Sequence, residues 1–251
     1  MSYDIEICLK VSQERWIRSL KSGTACFNPI DCFIKKAEID GNNEQGDKYE
    51  GIFGRIKKTD ARLHELRERL GADLEIIDDG DYVLLRRYST RNIPIFCTYG
   101  VLREEITINP DSVHREGGKM IGTARYDFPD KIYDGFLDDD DVWGFYCSAG
   151  HLHTEIEKAL THNKIRFEKA KISYDIDLSK EFLLTIDDSY PEVTHKRMDL
   201  SYQHEIRYYL LDFPQAKEYL LTYKPLSDSC CGIAPKALYM ELNCVCHLME
   251  E

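Results

Sequence analysis

The chain has 251 residues, 43% hydrophobic and 31% charged, with a formal net charge of −12 at pH 7. That length is enough for a sizeable core, and no apolar run reaches the roughly 20 residues a membrane-spanning helix needs. The acidic balance opposes general nucleic-acid binding and suits a basic partner, while 33 Lys and Arg leave room for a local cationic groove.

The opening MSYDIEICLK has no basic-then-apolar signal pattern, which predicts a cytoplasmic protein. In residues 3–11, Tyr3, Ile5, Ile7, Leu9 and Val11 alternate with Asp4, Glu6, Cys8 and Lys10, the pattern of a half-buried strand. Ser12 is placed to cap a helix carrying Trp16, Ile17 and Leu20, and Gly23 to end it. TACF reads as a short strand. Asn28-Pro29 reads as a cap and first-turn proline for a helix with Ile30, Phe33, Ile34 and Ala37 at helical spacing. Residues 39–51 are polar and rich in Gly and Asn, hence a loop. Thr59 would cap the clearest helix, residues 59–71, striped by Leu63, Leu66 and Leu70. Two strands flank a turn at Asp78–Asp81, and the apolar run IPIFCTYGVL at 93–102 reads as a central strand. Residues 109–119 read as a loop and 150–163 as a helix, and KIRFEKAKISYDI, EFLLTI, YQHEIRYYLL, EYLLTY and ALYMELNCVC as strand-rich. There is no internal repeat, no alternating βα pattern, and neither GxGxxG nor GxxxxGK[ST]. The expectation is one α+β domain over residues 1–251, with a largely antiparallel or mixed sheet and several short helices.

Nine cysteines, most in apolar contexts such as IFCTY and FYCSA, predict reduced thiols. Cys230, Cys231, Cys244 and Cys246, with His247, lack the two-residue gap of a zinc knuckle, so no metal is expected. Asp138–Asp141 reads as a solvated acidic loop, because four consecutive carboxylates cannot all face one cation. His151, His153 and His162 lack the HExxH spacing and read as surface or helix-end residues.

The stretch SYQHEIRYYLL, residues 201–211, carries the candidate chemistry. On a strand, Gln203, Glu205 and Arg207 share one face. One reading is a solvated face with an ion pair. The other is catalytic: Glu205 accepts a hydrogen bond from a sugar hydroxyl and stabilises an oxocarbenium-like charge, while Gln203 orients the nucleophile.

The order of SLKSGTACFNPIDCF, GDKYEG, IPIFCTYG and YQHEIR resembles that of a group of bacterial and phage proteins. These carry a His-Tyr-Thr strand, a helix ending in Ser-Gly, an Asn-Asp-x-x-Glu loop and a late Glu-x-Glu-x-Arg strand. That layout is similar to the ADP-ribosyltransferase superfamily, including DNA-targeting and mRNA-targeting toxins of phage defence. The resemblance spans roughly residues 3–211. It implies a split mixed sheet, NAD as substrate and no metal. Glu205 and Gln203 take the catalytic positions. Lys10, Ser12, Tyr99 and Arg207 would bind the dinucleotide, with Asp47 and Glu50 in the acidic loop. It also implies a nucleic-acid or protein acceptor and an antitoxin or defence-complex partner. The sequence departs from the pattern at Lys10, where these transferases place Arg or His. Lysine meets a phosphate as a point charge, without arginine's fork. The rival expectation is a non-catalytic interaction protein on a related fold, an inhibitor of a defence complex.

Overall fold

The computed structural model describes residues 5–40, 46–128, 141–211, 217–235 and 239–246. The chain opens with β1 (Ile5–Gln13), α1 (Glu14–Lys21), β2 (Thr24–Pro29), α2 (Ile30–Asp40), β3 (Ile52–Lys57) and α3 (Arg62–Leu70). Next come β4 (Leu74–Asp79), β5 (Tyr82–Arg87), α4 (Tyr88–Arg91), β6 (Pro94–Leu102), β7 (Thr107–Ile108), β8 (His114–Glu116) and β9 (Lys119–Asp127). Then follow β10 (Val142–Ser148), α5 (Ala149–His162), β11 (Phe167–Lys171), β12 (Ser173–Ile176), β13 (Phe182–Leu183) and β14 (His195–Arg197). The last strands are β15 (Ile206–Leu210), β16 (Tyr219–Thr222), β17 (Cys231–Pro235) and β18 (Tyr239–Cys246). The architecture is mixed α+β, and among the described residues no helix is long and apolar enough to cross a membrane.

The main sheet runs β11-β15-β6-β1-β10-β17, every neighbour antiparallel. Its central feature is the edge of β6 that faces away from β15. There β1 pairs only with residues 99–102, and β2 pairs only with Pro94 and Ile95. Among the described residues, neither strand lies opposite 96–98, so the sheet splits. Two commitments open it: β1 continues along β10 as far as Gln13↔Val142, and β2 turns away to pair with β16. Because β1 and β2 both run antiparallel to β6, they are parallel to each other, and α1 is the crossover that such a pair needs.

Both faces of the sheet are covered. On one, Ile17 and Leu20 of α1 and Leu152, Ile156 and Leu160 of α5 pack on Phe96, Phe145 and Tyr208. On the other, Leu9, Val11 and Val101 meet Tyr126 and Phe128, while Ile30 and Ile34 of α2 meet Ile95 and Tyr209. β1 is therefore buried on both sides near its middle, with Cys8 in one cluster and Leu9 in the other. A separate sheet, β13-β3-β5-β4, packs Phe53 and Ile56 against Leu63 and Leu66 of α3.

Several local expectations give way to tertiary pairing. Ser12 caps no helix: it stays in β1, and α1 begins at Glu14 after an extended Gln13. Asn28 and Pro29 are the last residues of β2, held extended opposite Ile95 and Pro94, and α2 starts at Ile30. The first turn of α3 is held by Asp60 rather than Thr59, the Asp60 carboxylate accepting the Arg62 N–H at 2.9 Å. Residues 109–119 are more than a loop, since a 3₁₀ turn at Pro110–Ser112 leads into β8 paired on β9. Residues 41–45 of the polar loop, Asp138–Asp140, and His247 lie outside the described residues, as do the side chains of Cys244 and Cys246. Cys8, Cys26, Cys32, Cys97, Cys147, Cys230 and Cys231 are free thiols.

Gly23 ends α1 at φ +94, where a Cβ would sit 2.3 Å from the Tyr223 carbonyl oxygen. The Tyr223 N–H donates to the Gly23 carbonyl at 2.7 Å, so this backbone contact ties α1 to the strand end beyond β16. Gly23→Ala is expected to cost about 2–4 kcal/mol, from the left-handed conformation and the collision together. Gly117→Ala, at φ +56 with nothing within 4 Å, is expected to cost only about 1 kcal/mol. Urea unfolding of both variants checks the ranking.

His153 is not a surface residue. It is buried on α5, its Nε2 3.2 Å from Cys8 Sγ and its ring edge-on to Tyr208. Burial, helped by the Lys169 charge, lowers its pKa from 6.5 to about 4. The native state therefore keeps it neutral where the unfolded chain takes up a proton. Its stabilising contribution is complete above pH 6.5 and is lost as pH falls through about 4. Replacing His153 by Gln should flatten this part of the stability profile by up to about 3 kcal/mol. Unfolding free energies of both proteins at pH 7.5 and 4.5 measure the difference.

Candidate functional site

A cavity of about 400 Å³ opens at the split in the sheet. That volume lies in the range of small-molecule sites. Its walls are Lys10, Val11 and Ser12 of β1, Trp16 and Leu20 of α1, Cys26 of β2, residues 95–99 of β6, and Glu50, Lys196, Gln203, Glu205 and Arg207. The structure thus brings Lys10, Ser12, Tyr99, Gln203, Glu205, Arg207 and Glu50 to one place. Asp47 is not among the lining residues.

Gln203, Glu205 and Arg207 do not form a strand row. Gln203 ends a 3₁₀ helix at Met198–Gln203, and His204 turns left-handed at φ 40, ψ 42. Glu205 then stands just before β15, which begins at Ile206. Nor is the face solvated. Glu205, Arg207 and Glu50 are 4%, 0% and 2% exposed. β15 is buried along its whole length, and its Arg207 turns into the cavity rather than into water.

An ion network replaces the row. Arg207 Nε donates to Glu205 Oε1 at 2.8 Å, and its Nη1 donates to Glu50 Oε1 and the Val193 carbonyl, each at 2.6 Å. Lys196 Nζ donates to Glu205 Oε2 at 2.6 Å and Gln203 Oε1 at 3.2 Å. The Glu205 N–H donates to the Tyr174 hydroxyl at 2.9 Å. Lys196 was missed in the sequence, where its only signal is the basic run HKR, which looks like any exposed strand end. The Glu50 loop is held from behind by Arg86, whose Nε donates to the Glu50 carbonyl at 2.9 Å. Asp47 supports the same loop. Its Oδ1 accepts the Tyr49 N–H at 2.9 Å and lies 3.5 Å from Arg197 Nε. Burial, and then the Glu50 charge, raise the Asp47 pKa.

Burial alone would raise the Glu205 pKa, but the charges of Arg207 and Lys196 outweigh it and hold the carboxyl well below the usual range. Burial likewise works against the Lys196 ammonium, and Glu205 and Glu50 more than offset it. Burial, then the Glu205 charge, push the Cys97 thiol up to about 12, which removes it as a nucleophile.

Lys10 stands apart from this network. Its Nζ donates to the Cys97 carbonyl across the split at 2.7 Å and lies 5.3 Å from the Phe96 ring centroid. Among the described residues it has no carboxylate partner. Among the described residues, Lys10, Lys36, Lys196 and Arg207 line the cavity together with Glu50, Glu205 and Glu218, a local concentration of cations in a chain of net −12. The arrangement can attract an anion and hold a fixed negative charge against a developing positive one. Among the described residues, no three His, Cys, Asp or Glu are grouped to hold a metal ion.

Arg207→Met should strand Glu50 and Glu205 with Lys196 alone, at a cost of about 3–5 kcal/mol. Removing the exposed Lys58–Asp78 pair by Lys58→Met should cost less than about 1 kcal/mol. Urea unfolding of the two variants at pH 7 checks both values.

Comparison with protein families, with curated proteins and with solved structures finds no match, so the reading of this site rests on its geometry and chemistry.

Proposed function

We propose that the cavity is an NAD cleft and that the protein is an ADP-ribosyltransferase of the toxin or phage–host conflict type. The observation that carries this reading is a carboxylate held ionised, Glu205, in the same cavity as an ammonium, Lys10, that has no carboxylate partner among the described residues. In this scheme Lys10 and Ser12 hold a phosphate or the adjoining ribose, and Tyr99 shapes the wall. Glu205 accepts a hydrogen bond from a ribose hydroxyl and offsets the positive charge that develops as the bond to nicotinamide breaks. Arg207 and Lys196 keep its carboxylate charged and aimed. Gln203 orients the incoming nucleophile of a protein or nucleic-acid acceptor. With water as acceptor, the same site is a glycohydrolase.

One observation favours a second reading. Both Glu205 oxygens already have cationic partners. A site saturated in this way suits binding without turnover, as in an interaction protein that docks on a basic defence complex.

Glu205→Gln keeps the shape and removes the charge. Chromatographic assay of NAD consumption, with calorimetry of NAD binding and a melting curve for each protein, decides between the readings. The expected result is turnover by the wild type and a loss of about 10²–10³-fold in the folded variant. Binding without consumption in the wild type supports the interaction reading, and no binding at all overturns the NAD cleft.

A further inference from the structure

The cavity wall carries two kinds of group. Lys10, Glu205 and Arg207 are charged, while Trp16 and Leu220, 42% and 52% exposed, are apolar, and the Glu218 carboxylate lies beside Leu220, 3.9 Å from Cys26 Sγ. Local geometry explains why Trp16 and Leu220 stay uncovered. On α1, Ile17 and Leu20 turn into the core, and Trp16 falls off that stripe. On β16, Leu221 is fully buried, so alternation turns Leu220 outward, in register with Cys26, itself part of the cavity wall. The Arg15 guanidinium carbon lies 5.1 Å from the Trp16 ring centroid. An indole and a leucine left in water beside a cavity form a platform for a flat apolar group.

We infer that Trp16 and Leu220 receive the nucleobase of a nucleotide whose phosphate is directed to Lys10. A single ligand has to answer both kinds of wall. Among the described residues, a purely apolar ligand leaves the Lys10 ammonium with the Cys97 carbonyl and the Phe96 ring and no anion, and a simple anion leaves the indole in water. A nucleoside phosphate carries a planar base and a negative charge joined by a sugar, so one molecule answers both Trp16 and Lys10. Base–aromatic stacking of this kind tolerates any base, because each has a π face. The inference rests on the nucleotide reading of the cavity but not on turnover.

The test uses the full chain carrying Trp143→Phe, which leaves Trp16 as its only tryptophan. AMP should quench Trp16 fluorescence saturably, while ribose 5-phosphate and inorganic phosphate should leave it unchanged. By calorimetry, Trp16→Ala should weaken AMP binding about 10- to 100-fold while sparing ribose 5-phosphate binding. Trp16 is exposed, so its melting temperature should hold. Equal affinity for AMP and ribose 5-phosphate overturns the inference, as does AMP binding that is unchanged in Trp16→Ala or absent from the parent protein. AMP bound through Trp16 by a protein that consumes no NAD supports the inference and removes the transferase reading. NAD consumption with an unchanged KM in Trp16→Ala does the reverse.

Discussion

A guanidinium with no exposed surface joins two carboxylates that come from distant parts of the chain. Arg207 lies in the interior of the main sheet, Glu205 just ahead of it, and Glu50 157 residues away on the loop after α2. Desolvating these groups is expensive, and their attraction offsets that cost only while every partner stays in place. The Val193 carbonyl, Lys196 and the Arg86 brace on the loop complete the set. The network therefore holds four segments of chain to one point, and that point is the wall of the cavity. The charge state of Glu205, the feature on which the proposed chemistry turns, follows from Arg207 and Lys196 rather than from Glu205 itself.

The cavity exists because one edge of β6 is shared. Had β1 followed β6 along its whole length, ladder hydrogen bonds would close over residues 96–98. Instead β1 stays with β10 and β2 goes to β16, and the Lys10 ammonium takes the Cys97 carbonyl left open between them. A backbone acceptor exposed by a strand split is thus met by a side chain that still has donors to spare, since an ammonium carries three. Fold and site are linked at this atom. The strand that brings Lys10 is the same one whose departure from β6 makes room for a ligand.

Much of the scaffold was legible in the sequence. The alternation of residues 3–11, seen from Ile5 on, the apolar run at 93–102 and the helix through 150–163 reappear as elements because each is dictated by which side chains must leave water, and the turn at Asp78–Asp81 because its Gly80 takes φ +66. Expectations resting on capping chemistry fared differently. Asn28-Pro29 has the composition of a helix start, but strand pairing holds it extended. β9 and β10 carry no alternation to read: KMIGTARYD mixes small, polar and apolar residues, and VWGFYCS is apolar at nearly every position, as suits a strand paired on both edges.

For the site, the sequence alone determined the inventory: Lys10, Glu50, Gln203, Glu205 and Arg207 stand out as charged or polar residues beside strand-like runs. Only the tertiary structure decided that these groups are buried together, that Lys196 joins them, that Asp47 supports the loop instead of facing the cavity, and that Trp16 stands at its edge. The reason is physical. Hydrophobic periodicity is a local property, written into residues a few places apart. Whether a carboxylate meets a guanidinium or water depends on segments more than a hundred residues away, and nothing in the local pattern of GDKYEG or YQHEIR records that meeting.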